Sequence, residues 1–454
     1  MLSLFILVIF FSASFCQAQD SVDIQELVVL TGEDVTTDET LGPSYGNIHP
    51  FISIQGEYTD NLYNINIDEQ TNFLTTVSAN IWIITPKAER LPIRLSSYNT
   101  AVGGSRFSLP SSTSFDRFQA YLLGGIDYNN FSMDSDLNYT PWALEGMLQY
   151  NLPSGLSFRI MDKFVDDRDR IEIGSFTTQD FTLEQDGLNV TSIPSNIRDF
   201  ISNQARAFIN IDMSEKISGY FDYTNYYLNY DREEDDWLDR SDNVFALSLF
   251  YHHSPGTSFF AELDHAIIDY DTATYNDNKE SSLLGGIKWK GSIKTSLMFK
   301  GGYQVKEFDD EEREELESFT FETWLTYLVT DKTKMTFKLL KALEETDTRV
   351  SRGKDTVSGR FDYDQEFSER FRGYIRFRFE HYDYEKFDQL DTNQIFIEAR
   401  EDWFYGIKPA LQYDFNDWLM SELSYSFEER DSNYDLFDFK TQIVFLSLNA
   451  AFNL

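Results

Sequence analysis

The stretch Ile293-Lys294-Thr295-Ser296-Leu297-Met298-Phe299-Lys300-Gly301-Gly302-Tyr303-Gln304-Val305 decides the fold class. Ile293, Thr295, Leu297, Phe299, Gly301, Tyr303 and Val305 fall on one side of an extended chain. Lys294, Ser296, Lys300, Gly302 and Gln304 fall on the other. Side chains alternate across a β-strand, so one face here is apolar and the other polar. The pattern returns at Leu419, Ser421, Leu423, Tyr425 and Phe427 against Met420, Glu422, Ser424, Ser426 and Glu428. From about Phe51 to Leu454 it repeats in segments of roughly ten residues, which predicts an all-β chain.

A soluble sandwich would show the same alternation, so the connections carry the next step. Short ones at 151–155, 212–216, 254–257, 290–292, 330–332 and 415–417 alternate with long, charge-rich ones at 166–197, 231–242, 271–280, 309–317 and 384–394. Tight turns at one end and long loops at the other are how transmembrane barrels are built. A strand with its share of turn and loop uses roughly 22 residues, so 49–454 supplies about eighteen antiparallel, up-and-down strands. The stretch 99–140 fits with or without an extra hairpin, which leaves sixteen and twenty open. The last strand presents Val444, Leu446, Leu448, Ala450, Phe452 and Leu454 on one apolar face running to the carboxyl end. It resembles the signal read by the barrel assembly machinery, with Leu454 where Phe or Trp is usual.

Ahead of the barrel, residues 2–11 are an apolar run broken only by Ser3, and Cys16-Gln17-Ala18 a cleavage region. Residues 1–18 therefore read as a signal peptide cleaved after Ala18, too short to span a membrane. Phe15 argues against acylation at Cys16. Its removal takes away the one cysteine, so the mature chain has no disulfide and no Cys-based metal site. Residues 19–48 read as an acidic periplasmic segment. Within them Asp23 to Gly32 resembles the energy-coupling box of TonB-dependent receptors, but no plug-sized domain follows, and a short segment near the periplasmic mouth is the plainer reading.

With 76 acidic against 38 basic residues the net charge is −38, which excludes nucleic acid as a partner. At 16% aromatic residues, with 26 Tyr and 40 Phe, the chain is not a disordered acidic polymer either. Tyr270, Tyr303, Tyr382, Tyr384 and Tyr425 are read as girdle residues at the membrane interface.

Chemistry is sparse. His253-Ser254 lies in a turn with no orienting third group, and His381 follows Glu380 at a strand end, so no catalytic residue, metal ligand or cofactor site is predicted. The acidic loop 231–242 reads as solvated, with weak Ca²⁺ or Mg²⁺ binding as the alternative. The polar face holds the more telling set: Lys288, Lys290, Lys294, Lys300, Lys306, Lys334, Lys338, Arg360, Arg372, Arg376 and Arg378. They are expected to line one wall of the lumen and concentrate anions. The competing expectation pairs them with lumen acids such as Glu262, Asp264, Asp362 and Glu428.

Four patches resemble a known family. His49-Pro50-Phe51 through Tyr58-Thr59-Asp60-Asn61-Leu62-Tyr63 is similar to the opening strand and loop of the putative β-barrel porin 2 family. So are Tyr251 to Thr257 and the hairpin from Gly286 to Tyr303. The C-terminal block is nearest: Arg400-Glu401-Asp402, Gly406, Tyr413 and Ser424-Tyr425-Ser426-Phe427-Glu428-Glu429-Arg430-Asp431-Ser432-Asn433. The resemblance implies an integral outer-membrane barrel of a Gram-negative bacterium, set in lipid and lipopolysaccharide. It also implies a conduit for exopolysaccharide or capsule export, handling an acidic polysaccharide with periplasmic export components. A general or anion-preferring diffusion porin is the second expectation, an outer-membrane enzyme or adhesin the third. No catalytic or ligand residue is carried over from the family.

Overall fold

The computed structural model describes residues 47–64, 66, 69–85, 117–133, 135–168, 181–184, 187–190, 198–233, 235–311, 313–344, 353–385 and 399–452. The first hairpins are β1 (Ile48–Thr59), β2 (Asn72–Thr85), β3 (Phe118–Phe131), β4 (Trp142–Asn151) and β5 (Leu156–Arg168). A separate small hairpin, β6 (Phe181–Glu184) and β7 (Gly187–Val190), stands in the connection to β8 (Asp199–Ser214). Then come β9 (Ile217–Tyr230), β10 (Arg240–Ser254), β11 (Thr257–Tyr270), β12 (Asn278–Ser292) and β13 (Thr295–Phe308). The chain continues with β14 (Leu316–Thr330), β15 (Thr333–Glu344), β16 (Lys354–Ser368) and β17 (Phe371–Tyr384). It finishes with β18 (Glu401–Asn416), β19 (Leu419–Ser432) and β20 (Phe439–Ala451).

All strands except β6 and β7 form one 18-stranded sheet in which neighbours in sequence are antiparallel neighbours in space. β1 pairs with β20 from Phe51↔Ala451 to Thr59↔Ile443, which closes the sheet into a barrel with no free edge. β2 pairs directly with β3, so the open count resolves to eighteen without an extra hairpin. The predicted signal peptide, the 19–46 part of the N-terminal segment, the energy-coupling resemblance and Leu454 lie outside the described residues.

Alternation sets the two surfaces. Ile52, Ile54, Val77, Leu247, Leu249, Leu263, Leu283, Phe299, Leu423 and Leu446 are exposed on the outside. Their sequence neighbours Ser53, Ser78, Ser248, Glu262 and Ser424 are buried on the inside. Exposed aromatics border this apolar belt. Tyr128, Trp142, Tyr227, Tyr303, Phe319 and Trp403 stand toward the loop end, and Tyr425 lies midway along β19. Tyr150, Tyr251, Trp289, Tyr327, Tyr413 and Trp418 stand toward the turn end. An apolar outer band flanked by aromatic girdles is the surface a bilayer requires. Tyr270, Tyr382 and Tyr384 correct the girdle expectation. They share the inward parity of their strands, and Tyr270 and Tyr384 are buried.

The turn expected at 290–292 falls instead at Ile293-Lys294, between the paired Ser292 and Thr295. Ser292 Oγ accepts the Lys294 N–H at 3.1 Å and fixes the turn. Gly291 misled the reading as a turn residue. It sits under the Trp289 ring, which a Cβ at 291 would meet at 2.2 Å. Gly155 does serve a turn: its φ is +78°, and an added Cβ would meet Asp212 at 2.8 Å.

Candidate functional site: the inner wall of the barrel

Lys288, Lys300, Lys334, Lys338, Arg360, Arg372, Arg376 and Arg378 all have the inward parity of β12, β13, β15, β16 and β17. Lys294 does not join them. It occupies the exposed β12–β13 turn, where its Nζ reaches the Val329 carbonyl at 3.5 Å. β12 runs through the expected turn to Ser292, and β13 begins only at Thr295, which leaves Lys294 in the turn.

The wall is a ladder of ion pairs. Lys300 Nζ donates to Glu262 at 2.7 Å and stands 3.4 Å from Glu322. Arg360 Nε donates to Asp362 at 2.7 Å, Arg378 Nε to Glu380 at 2.7 Å, and Arg372 Nη2 to Asp414 at 3.1 Å. Arg376 lies 3.9 Å from Asp362 with its guanidinium 4.1 Å over the Tyr374 ring. Lys334 faces Asp364 across the β15–β16 register. Lys288 and Lys338 are held by rings: Lys288 Nζ lies 4.8 Å over Phe250 and 5.8 Å over Phe260, and Lys338 Nζ 3.9 Å over Trp324. The opposite wall, β1–β4 and β20, offers mostly neutral groups such as Ser53, Thr76, Asn80, Gln149, Thr441 and Ser447. The lumen is therefore charged on one side and polar on the other.

At the loop end the structure shows a feature that pattern reading missed. Four loops close the same way: a single 3₁₀ turn is followed by Asn or Asp, whose Oδ1 accepts the N–H of the residue ending or just beyond the strand core. The pairs are Phe131 with Asn138, Tyr230 with Asp239, Tyr270 with Asp277 and Ser432 with Asp438, each at 2.7 Å. Each turn also tucks an apolar residue inward or beside it: Leu137, Trp237 and Leu238, Ala273, and Phe437 are buried. Trp237 and Leu238 pack with Val165, Phe200, Tyr226, Leu228, Tyr230, Ile268 and Tyr270 in an apolar core on one side of the mouth. Arginines tie neighbouring loops together. Arg168 donates to the Leu137 carbonyl at 2.9 Å, Arg198 meets Asp235 at 3.1 Å, and Arg313 donates to Asn276 at 2.8 Å. Arg400 lies 3.6 Å over the Phe437 ring. The available sequence signal was the recurrence of Asp or Asn one residue after a turn-forming triplet.

These closures set a pH dependence. Burial pushes the Asp239 carboxyl up to about 6; the Tyr230 N–H opposes the rise, and Asp236 and Asp271 add to it. Asp277 and Asp438 are raised in the same direction, also by burial first. A carboxyl raised in the folded state takes up its proton there before the unfolded chain does. Between about pH 6 and the ordinary value near 4 the folded state thus binds more protons, and stability rises as pH falls through that window. The thermal unfolding midpoint should climb on going from pH 7.5 to 4.5. Asp239→Asn, which copies Asn138, should raise the midpoint at pH 7.5 and shrink the climb. A midpoint for Asp239→Asn below wild type at pH 7.5 contradicts this.

His265 and His252, not His253, meet serines. His265 Nδ1 is 3.0 Å from Ser281 Oγ on the outward parity of β11. His252 Nε2 is 2.9 Å from Ser218 Oγ and its Nδ1 2.9 Å from Ser258 Oγ. Both ring nitrogens are thereby used, leaving none for the carboxylate that orients a triad. His381 bridges to Glu401 at 2.9 Å beside Trp403 on the outer face. Among the described residues no group of three or more His, Cys, Asp or Glu is placed to hold a metal ion.

No curated protein matches the chain. Among solved structures, OccK1 (OpdK) of Pseudomonas aeruginosa is 10% identical with a TM-score of 0.44, covering 89% of this chain and 99% of its own. OccAB4 of Acinetobacter baumannii is 9% identical with a TM-score of 0.43, covering 89% and 98%. The siderophore receptor PirA of Pseudomonas aeruginosa is 8% identical with a TM-score of 0.42, covering 90% and 81%. Similarity at this level says nothing of what this chain passes. The family profile described as Putative beta-barrel porin 2 matches residues 218–452, from β9 to the closing strand and just over half of the sequence, and the chain belongs to that family.

Proposed function

We propose that this chain is a channel of a Gram-negative outer membrane that passes hydrophilic solutes with a preference for anions, serving as a conduit for an acidic exopolysaccharide or capsule polymer. The barrel and the family support a porin-like outer-membrane channel. The observation that supports the anionic preference is the set of inward cations from Lys288 to Arg378 on β12, β13, β15, β16 and β17, in a protein whose total charge is −38. Local lumen charge, not total charge, sets the field an ion crosses. In this reading the short turns and both barrel ends face the periplasm, and the acidic loops face the medium.

Reversal potentials in planar bilayers under a salt gradient test it. Wild type should favour anions, and Arg376→Glu with Arg378→Glu should move selectivity toward cations. A cation-selective wild type overturns the preference, and absence of any conductance overturns the channel. The ion pairs at Lys300, Arg360, Arg372 and Arg378 favour a second reading, a weakly selective diffusion porin; a reversal potential near zero would establish it. Unchanged surface polysaccharide in a deletion strain would remove the export role.

A further inference from the structure

The inward cations fall into two energetic classes. Lys300, Arg360, Arg372 and Arg378 each donate to a carboxylate within 2.7–3.1 Å, and an incoming anion gains little by pulling them away. Lys288 and Lys338 differ. Lys288 Nζ is shielded and has no hydrogen-bond partner among the described residues, only the faces of Phe250 and Phe260. Lys338, 8% exposed, has only the face of Trp324. The acids nearest them are taken: Glu262 and Glu322 by Lys300, Asp362 by Arg360.

A cation held only against a ring face is bound more weakly than one in a charge-assisted hydrogen bond to an anion. For these two lysines, leaving the ring for a solute anion is downhill. Their placement matters as well. Lys288 pairs with Met298, Met298 with Trp324 and Trp324 with Lys338, so they stand on one row of the wall across four strands. At about 4.8 Å per strand their backbones are roughly 14 Å apart, with Trp324 between them.

We infer that Lys288, Trp324 and Lys338 form a binding site for a solute carrying carboxylate or phosphate groups at two points, the two lysines rising from their rings to meet it. This deepens the anion-channel reading and rests on it, so the test reads binding, not current. Trigalacturonate titrated calorimetrically into the whole detergent-solubilised barrel should bind, and maltotriose should not. Lys288→Gln with Lys338→Gln should weaken trigalacturonate at least tenfold, while Lys288→Arg with Lys338→Arg retains it, both folding to the heat-modifiable barrel. Inorganic phosphate should bind far more weakly than trigalacturonate if acidic sugars are the source; equal binding, lost with the same double variant, assigns the site to free anions. No trigalacturonate or phosphate binding by wild type, or undiminished binding by the Gln variant, overturns the site. Bilayer conductance of the same preparations reports separately whether the channel reading stands.

Discussion

Arg400→Met should destabilise the barrel by about 3–5 kcal/mol, because it strands a carboxylate. Arg400 is 2% exposed and Asp402 fully buried, and Arg400 Nε donates to Asp402 Oδ1 at 2.9 Å. With the guanidinium gone, Asp402 keeps the Ser432 hydroxyl at 2.6 Å and no counter-charge in contact. The same change removes the surface that covers Phe437 and Tyr384, 3.6 and 4.7 Å away, so the β19–β20 loop loses its anchor. Urea unfolding in lipid vesicles measures the loss. Arg400→Met with Asp402→Leu should recover most of it, since the cost lies in the unpaired charge and not in the missing pair. A single variant as stable as wild type, or a double variant no better than the single, would mean the site is wet and the pair incidental.

The second large effect concerns the outer face. Leu247 is 54% exposed midway along β10, flanked in register by Phe221 and Leu263, themselves exposed apolar residues. In water this is an unremarkable surface leucine, but in a bilayer it sits in hydrocarbon. Leu247→Arg should therefore cost about 2–4 kcal/mol of folding into vesicles, whereas Gln204→Arg, on the inward parity of β8, should fold nearly as wild type. The fraction migrating as the heat-modifiable folded form after refolding reports both. Equal yields for the two variants would falsify the assignment of the outer face to lipid.

How much of this was legible in the sequence follows from the range of each interaction. Parity is a property of adjacent residues, so Leu283 against Leu284, or Phe377 against Arg378, could be placed without knowing any partner strand. Strand number followed from spacing only as about eighteen, and the direct β2–β3 pairing settled it. The state of the cations did not, because Lys300 finds Glu262 two strands away, and only the assembled register brings them within 2.7 Å. Other pairs were in plain view: Arg360-Phe361-Asp362 and Arg378-Phe379-Glu380 place both charges on one side of one strand by the same period of two that set the fold. The tyrosines at strand ends were misplaced because a residue name was allowed to outrank parity. Tyr270 and Tyr384 follow their strands inward.

The pairs two residues apart bear on how the chain enters a membrane. Arg240 with Asp242, Arg360 with Asp362 and Arg378 with Glu380 are each contained in a single strand, and Arg400 with Asp402 straddles the start of β18. A pair within one strand is balanced there and needs no neighbour to compensate it, so it can cross the edge of the bilayer before the next hairpin docks. Lys300 has no such resident partner and depends on β11 and β14 being in register. Moving an acid from position i+2 on one strand to the facing position on the next would preserve every pair in the finished barrel and still slow its assembly.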